Sequence, residues 1–132
     1  MKLKFKSTTY LSIDDSSSSI FETDWIDYKE TVKDEFIVLD FIDQTNTAHH
    51  LEISEKAVNF SYGIQSFNLV LHQRQKGLFK TDVQDFWIDW YLKKVVIAKD
   101  TILFDYDILN NDQILTTNRV LIEIKDEKEI SN

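Results

Sequence analysis

Apolar and polar residues alternate along most of this chain, which is the pattern of β-strands that bury one face and expose the other. The alternation is clear at Ile102, Phe104, Tyr106 and Ile108, which share one parity and enclose two aspartates. Similar short runs recur in meander order, with little sign of helix. Such a chain folds as a barrel or a sandwich, and closing a meander on itself removes its exposed edges. We therefore predict an all-β fold in which an antiparallel meander of about eight to ten strands closes into a barrel.

The segment QDFWIDWYLKK could form either a strand or a helix. A helix would carry apolar residues almost all round, whereas a strand places Phe86, Ile88 and Trp90 on a wholly apolar face. The aromatic and β-branched content also favours the strand. We predict a strand that buries these three side chains and leaves Trp87 and Tyr91 on the opposite face, beside aspartates.

The same parity argument gives an aromatic-rich set of side chains that point inward. The members of this set are Phe5, Trp25, Phe36, Phe60, Phe67, Phe86, Trp90, Phe104 and Tyr106. Thr116 and Asn118 continue the apolar parity of the last strand with polar side chains, which predicts a bulge or a wet interior there. A helix over residues 20–32 is the main local alternative, because the apolar residues of that segment also fit helical spacing.

Turns in this chain must form with little glycine, because the sequence has no proline and only two glycines. Asn and Asp tolerate a left-handed backbone and can replace glycine in tight turns. The candidate turns are residues 14–15, 43–46, 99–100 and 110–112. The charged residues 126–132 are typical of a frayed tail.

Length and composition narrow the class of protein. A chain of 132 residues predicts one domain over residues 1–132 with a single core. It has no cysteine, which excludes disulfides and thiol nucleophiles and suits a reducing compartment. No signal peptide is evident, and no stretch approaches the ~18 apolar residues of a membrane span, so we expect a cytoplasmic protein with no membrane partner. The formal net charge of −8 opposes nucleic-acid binding, which draws on a basic surface.

Three segments carry a resemblance to a known family. The first segment pairs an acidic strand with an aromatic-rich one and reads IFETDWIDYKETVKDEFIVLDFID. The second leads from a strand to the aromatic-x-Thr element FKT (79–81) and reads LVLHQRQKGLFKTD. The third places Tyr106 near the end of the penultimate strand and reads DTILFDYDILNNDQILTTNRVLIEIK. In order and spacing these segments resemble the YwiB-like family of small bacterial proteins. The resemblance implies a calycin-like (lipocalin-resembling) β-barrel and supplies no catalytic residues. The chain departs from the family's pattern at two places. Relatives often carry glycine where this chain has residues 82–84, and Arg-Gly where it has residues 61–63.

Signatures of catalysis and metal binding are weak in this sequence. His49 and His50 are adjacent on a strand and point to opposite faces, so they cannot easily share a metal. His72 has no metal-binding spacing with either of them. The chain has no G-x-S-x-G elbow, and two glycines cannot form a phosphate-binding loop. We expect no metal, no cofactor and histidines that are satisfied by neighbours or by solvent.

Pairs of strand aspartates support a remote alternative. Asp85/Asp89 and Asp105/Asp107 each place two carboxylates on one face, as a small hydrolase with an acid–base pair would. The solvated outer face of a barrel has the same pattern. We therefore expect these aspartates to lie on an outer face.

The leading hypothesis is a non-enzymatic barrel whose interior holds a small apolar ligand. The predicted ligand-binding residues are Trp25, Tyr62, Trp90, Phe104 and Tyr106, because their rings supply stacking surface and a few polar groups. The competing interpretation of the same rings is that they simply fill the interior.

The second hypothesis belongs to a different class of protein. Trp87, Tyr91 and the exposed side of Trp25 would form an aromatic patch that binds a protein partner or a second copy of the chain, since Trp and Tyr are favoured interface anchors. The protein would then act as an interaction module or as a homodimer.

Overall fold

The computed structural model describes residues 1–11 and 18–129, and this part of the chain is all-β. It contains eleven strands, more than the eight to ten that the sequence predicts. The strands are β1 (Lys2–Leu11), β2 (Ser18–Glu22), β3 (Lys29–Lys33), β4 (Phe36–Ile42), β5 (Ala48–Ile53), β6 (Ala57–Tyr62), β7 (Gln65–Val70), β8 (Arg74–Lys80), β9 (Asp85–Ile97), β10 (Thr101–Asn110) and β11 (Gln113–Lys125). A short 3-10 turn follows at Glu127–Glu129. β3 is exposed along its whole length. It therefore has no buried face, and alternation of apolar and polar residues does not identify it as a strand.

The described strands form two antiparallel sheets. One sheet has the order β2-β1-β11-β10-β9-β8, and the other has the order β3-β4-β5-β6-β7. Except for the pairing of β1 with β11, every ladder joins strands that are consecutive in the chain, so the predicted meander is confirmed. Isolated bridges at Leu3–Ile26, Val70–Gln73 and Leu71–Leu92 lie where the chain passes between the sheets, and no full ladder joins the described strands of one sheet to those of the other. Closure into a barrel therefore stays a prediction.

A single apolar core receives side chains from both sheets. Successive strand residues point to opposite faces, so alternate residues of each strand enter this core. Six members of the predicted inward set are buried: Phe5, Phe60, Phe67, Trp90, Phe104 and Tyr106. Phe36 is half-buried. The prediction for Phe86 is wrong, because 44% of its surface is exposed.

Phe86 is exposed because of its position along β9. This strand is confirmed over Asp85–Ile97, with Trp90 and Leu92 buried and Ile88 packed against the core. Phe86 lies near the start of the strand, where β9 pairs only with the end of β8. The parity is correct, since the cross-strand partner Phe79 packs against the core, but Phe86 itself stays exposed at this end of the hairpin.

The rival helix over residues 20–32 does not form. β2 and β3 occupy most of this segment, since β2 pairs with β1 and β3 pairs with β4. The apolar pattern of this segment fits both helical and strand spacing, and pairing with neighbouring strands decides in favour of the strands.

Most of the predicted turns are confirmed. Asn46, Asn111 and Asp112 have φ values of 65°, 50° and 68°, so Asn and Asp supply the left-handed backbone. A hydrogen bond of 2.8 Å from the amide of Ala98 to the carbonyl of Thr101 closes the turn at residues 99–100. The predicted turn at residues 14–15 lies outside the described residues.

The C-terminal segment is only partly as predicted. Glu127 begins a 3-10 turn, and its carboxylate lies 3.5 Å from the ammonium group of Lys2, so this part of the predicted tail is anchored to β1. Residues 130–132 lie outside the described residues. Within the described chain, no helix has the length and apolar character needed to cross a membrane.

Candidate functional site

A cavity of about 410 Å³ lies between the two sheets. β1, β2, β10 and β11 of one sheet line it, together with β5 and β6 of the other sheet and the turn between β4 and β5. The aromatic residues of its wall are Phe5, Phe21, Phe60, Tyr62, Phe104 and Tyr106. The cavity therefore combines surfaces from both halves of the core.

The aromatic rings of this wall pack against one another. The ring of Phe60 lies 5.7 Å from those of Phe104 and Tyr106, measured between centroids, and 6.3 Å from that of Tyr62. Burial raises the pKa of both tyrosines, and at Tyr106 the neighbouring Tyr62 adds to the effect. Both phenols therefore stay protonated near neutral pH and keep a hydroxyl group that can donate a hydrogen bond.

The polar end of the cavity centres on Asp43, which is buried. Its Oδ1 accepts hydrogen bonds from the amide and the hydroxyl of Thr45, at 2.8 and 2.6 Å, and from the amide of Thr47 at 3.1 Å. Burial by itself raises the pKa of this carboxyl, but the hydrogen bonds from Thr45, His49 and Thr47 outweigh it and lower the pKa to about 2. Asp43 is therefore an ionised carboxylate at neutral pH.

His49 is held between Asp43 and a group of rings. Its Nε2 lies 2.7 Å from Oδ2 of Asp43. The imidazole stacks on Phe41 with a centroid distance of 4.6 Å, and the rings of Phe5 and Tyr62 lie at 5.3 and 5.7 Å. These contacts fix the orientation of the imidazole. Among the described residues, no serine or threonine hydroxyl forms a hydrogen bond to it.

The structure brings three of the five predicted ligand-binding residues together. Tyr62, Phe104 and Tyr106 all line the cavity. Trp90 is buried behind them, with its ring 4.8 Å from that of Phe67 and its Nε1 donating to the carbonyl of Asn68 at 2.9 Å. Trp90 therefore belongs to the core and does not line the cavity.

Trp25, the fifth predicted residue, lies away from this cavity. The ammonium groups of Lys4 and Lys125 lie 5.9 and 5.3 Å from the centre of its indole. It borders a separate, open groove of about 740 Å³ that is also lined by Asp27 and Tyr28. The placement of Trp25 in the inward set is therefore wrong. Trp25 lies in the connection between β2 and β3, where the side chain of Thr23 is buried and that of Ile26 packs against the core in its place.

Trp87 and Tyr91, two members of the predicted aromatic patch, differ in exposure. Trp87 exposes 67% of its surface, whereas Tyr91 is half-buried and its ring stacks near His72 at 6.4 Å. Val83 and Phe86, which are 91% and 44% exposed, lie near Trp87 in the chain at the β8–β9 hairpin. Three exposed apolar side chains thus lie at or near the tip of this hairpin, although exposed apolar residues such as Val32 and Ile64 also occur elsewhere in the described chain.

His50 points away from the cavity, as the opposite facing of adjacent strand residues predicts. Its Nδ1 lies 2.5 Å from Asp40 and its Nε2 lies 3.1 Å from Glu52. Hydrogen bonds to Asp40 first, and then to Glu52, raise the pKa of His50. Over residues 1–11 and 18–129, no three histidine or carboxylate side chains are grouped to hold a metal.

Three of the four strand aspartates that suggested a hydrolase form ion pairs, and the fourth, Asp85, is exposed at the start of β9. Asp105 pairs with Arg119 at 2.8 Å and Asp107 pairs with Lys93 at 3.0 Å. Asp89 lies 2.6 Å from Arg74, which reaches Asp112 at the same distance. These carboxylates therefore neutralise arginine and lysine side chains of neighbouring strands.

The sequence argument missed Asp43 and His49 as cavity residues. Together with Thr45 and Thr47 they occupy alternate positions of the segment DQTNTAH. Such spacing at a strand end can place four polar side chains on one side of the chain, and this was the available signal. From the sequence, residues 43–46 are predicted to form a turn, and His49 is predicted to be satisfied by neighbours or by solvent. Both assignments agree with the structure, but neither points to a site.

No protein-family model matches this chain, and neither does any curated protein. Among solved structures, the crystal structure of the YwiB protein from Bacillus subtilis is similar, with a TM-score of 0.65. The match covers 95% of this chain and 92% of that chain, at 12% sequence identity. At this identity the likeness shows a shared fold alone.

Proposed function

We propose that this chain is a non-enzymatic binding protein that holds a small, mainly apolar ligand in the cavity between its sheets. The observation that carries the proposal is the cavity itself, about 410 Å³ in volume and walled by aromatic rings with a polar group at one end. Pockets for small molecules are mostly apolar, occupy about 300–1,000 Å³ and contain a few well-placed polar groups. The cavity has both the size and the chemistry of that class.

The polar groups of the cavity favour binding over catalysis. Asp43 uses both of its carboxylate oxygens as acceptors within the protein, and one of them bonds His49. An acid–base catalyst needs a group that exchanges a proton with the substrate near the working pH. Asp43, with its pKa lowered to about 2, holds no proton to give at neutral pH. It suits the fixed orientation of a residue that recognises a ligand.

We also propose kinship with the YwiB-like family and a calycin-like arrangement of the strands. The likeness to the YwiB structure over 95% of the chain supports the kinship. The bridges at Leu3–Ile26 and Leu71–Leu92 support the arrangement, because each links a strand of the first sheet to a segment next to the second sheet.

A cavity-filling substitution tests the binding function. Ser7 lines the cavity, whereas Lys6 lies on the opposite face of β1, so Ser7→Phe fills the space and Lys6→Phe adds the same ring outside it. Ligands are first found by a thermal-shift screen of small aromatic and aliphatic compounds on the wild-type protein. Their affinities for both variants are then measured by titration calorimetry.

We expect the ligands found in the screen to bind Ser7→Phe at least tenfold more weakly than the wild type, and to bind Lys6→Phe with unchanged affinity. The proposal fails if no compound raises the melting temperature of the wild type. It also fails if the ligands bind Ser7→Phe as tightly as the wild type.

A second candidate function is supported by the β8–β9 hairpin. Trp87 is 67% exposed and pairs in register with Leu78, and Val83 is 91% exposed at the same hairpin. An exposed tryptophan among apolar neighbours is typical of an interface anchor. We propose self-association through this patch as the alternative. Sedimentation velocity over a hundredfold range of concentration tests it, since the wild type should dimerise and Trp87→Ala should stay monomeric. A wild type that is monomeric throughout rejects it.

A further inference from the structure

The charged groups that line the cavity are unbalanced. Asp43 is the one carboxylate among its described lining residues, and no lysine or arginine is found among them. His49 is the only basic side chain in that set, and its Nε2 already bonds Asp43. A ligand that carried a carboxylate into this space would meet no free cationic partner, and burying an unpaired charge is strongly unfavourable.

The carboxylate of Asp43 adds to this discrimination. It remains ionised because four hydrogen bonds, from the amide and hydroxyl of Thr45, the amide of Thr47 and the ring of His49, stabilise its charge. A second anion a few ångströms away is repelled by it, and a cation at the same place is attracted. Even with the strong screening of bulk water, this difference at a separation of about 4 Å corresponds to a change in affinity of more than about tenfold.

Aromatic rings surround the same end of the cavity. The rings of Phe5, Phe21 and Tyr62 lie 5.3, 6.3 and 5.7 Å from the imidazole of His49, and all three residues line the cavity. The faces of aromatic rings carry a negative quadrupole and attract ammonium groups, most strongly where water is excluded. The rings and the carboxylate therefore favour the same sign of charge.

Resting on the proposed binding function, we infer that the ligand is a small amine. Its ammonium group lies at the end of the cavity formed by Asp43 and His49, and its apolar body, about the size of one or two rings, packs against Phe60, Phe104 and Tyr106. The neutral alcohol of the same shape binds more weakly. The corresponding carboxylate binds weakest, because it meets the charge of Asp43 without a cation of its own.

Three indole compounds that differ mainly in their head group test this inference: tryptamine, tryptophol and indole-3-acetate. Their affinities for the wild-type protein are measured by titration calorimetry at pH 7 and constant ionic strength. We expect tryptamine to bind at least tenfold more tightly than indole-3-acetate, with tryptophol between them. If all three fail to bind while the screen has found other ligands, the same three head groups are compared on the body of a screened ligand.

Asp43→Asn identifies the source of the discrimination. It should reduce the ratio of amine to carboxylate affinity to less than threefold, while Asp85→Asn, which removes the same charge from the exposed β8–β9 hairpin, should leave the ratio unchanged. Thr47→Lys is a second variant that does not depend on the fold tolerating Asn at residue 43, and it should tighten binding of the carboxylate. A carboxylate that binds the wild type as tightly as the amine overturns the inference and leaves the binding function in place. If neither these probes nor any screened compound binds, the proposed function itself fails.

Discussion

Gly77 lies against the indole of Trp90, and this contact depends on the absence of a side chain at residue 77. A Cβ atom there would lie 1.8 Å from Cη2 and 1.9 Å from Cζ2 of Trp90, far inside van der Waals contact. Trp90 cannot move away easily, because its Nε1 bonds the carbonyl of Asn68 and its ring packs against Phe67. Glycine is therefore required here for close packing.

We expect Gly77→Ala to lower the free energy of unfolding by about 3 kcal/mol, at the upper end of typical overpacking effects. Urea denaturation followed by tryptophan fluorescence measures this loss. Trp90→Leu should relieve much of the clash, so the double variant should lose less than the two single variants predict by addition. Strictly additive losses would contradict the contact.

His50 gives the protein a pH-dependent contribution to stability. Its pKa is raised above the unfolded value of 6.5, chiefly by the hydrogen bond to Asp40 and then by that to Glu52. The protonated ring therefore stabilises the fold fully below about pH 6.5, and this contribution is lost as the pH rises through the folded pKa. The group is partly exposed, so the effect should be below about 1 kcal/mol.

The measurement is the difference in unfolding free energy between the wild type and His50→Gln from pH 5.5 to 8.5. We expect this difference to fall with rising pH. Asp40→Asn should weaken the same dependence, because it removes the main cause of the raised pKa. A difference that stays constant, or grows with pH, would show that the two carboxylates do not favour the charged imidazole.

The β10–β11 hairpin shows how this chain makes a tight turn without glycine. Asn111 and Asp112 both have positive φ, at 50° and 68°, which corresponds to a type I′ turn. Asp112 also accepts a hydrogen bond from Arg74 at 2.6 Å, although it is itself exposed. Left-handed backbone strains most residues with a side chain, whereas glycine adopts it freely.

Two substitutions at Asp112 separate the backbone strain from the ion pair. Asp112→Gly and Asp112→Ala both remove the contact with Arg74 but differ in their tolerance of positive φ. We expect the glycine variant to be more stable than the alanine variant by about 1 kcal/mol in urea denaturation. Equal stabilities would mean that the turn relaxes to another conformation.

Strand parity predicts the faces of these elements well but not where a strand leaves the core. The alternation in β9 identifies Trp90 as buried and Trp87 as exposed, yet it also assigns Phe86 to the core. Burial of Phe86 depends on what the opposite sheet covers, and this information is not local in the sequence. The same limit applies to Trp25, whose apolar ring lies in a connection beside two lysines.

The aromatic wall of the cavity is predictable from the sequence, but its polar end is not. Its aromatic wall follows from parity, so Tyr62, Phe104 and Tyr106 could be chosen from the sequence. Its polar end depends on the folded turn that joins Asp43 to His49, and an acidic chain with 23 Asp and Glu residues offers many equivalent aspartates. Only the tertiary structure shows which carboxylate is buried.

One of the places where the two sheets meet is the corner at which the chain passes from β2 toward β3. Thr23 at this corner is 2% exposed, and its amide donates to the carbonyl of Phe5 at 2.9 Å. The amide of Phe5 bonds the hydroxyl of Thr23 at 3.0 Å, so a side chain replaces the backbone acceptor of the ladder. Further on, Ile26 exchanges two backbone bonds of 2.9 Å with Leu3. The Thr23 hydroxyl thus gives the Phe5 amide a hydrogen-bond acceptor at the point where the chain leaves the first sheet.

Replacing this hydroxyl should weaken the junction between the sheets. Thr23→Val keeps the shape of the side chain but leaves the Phe5 amide buried without its partner, so we expect unfolding to become easier by about 1–3 kcal/mol. Thr23→Ser keeps the hydroxyl and loses only a methyl group, which costs about 1 kcal/mol or less. Urea denaturation compares the two variants, and hydrogen exchange should show faster exchange at Phe5 and Leu3 in Thr23→Val than in Thr23→Ser. If the serine variant is as unstable as the valine variant, the methyl packing of Thr23 holds the corner and the hydrogen bond does not.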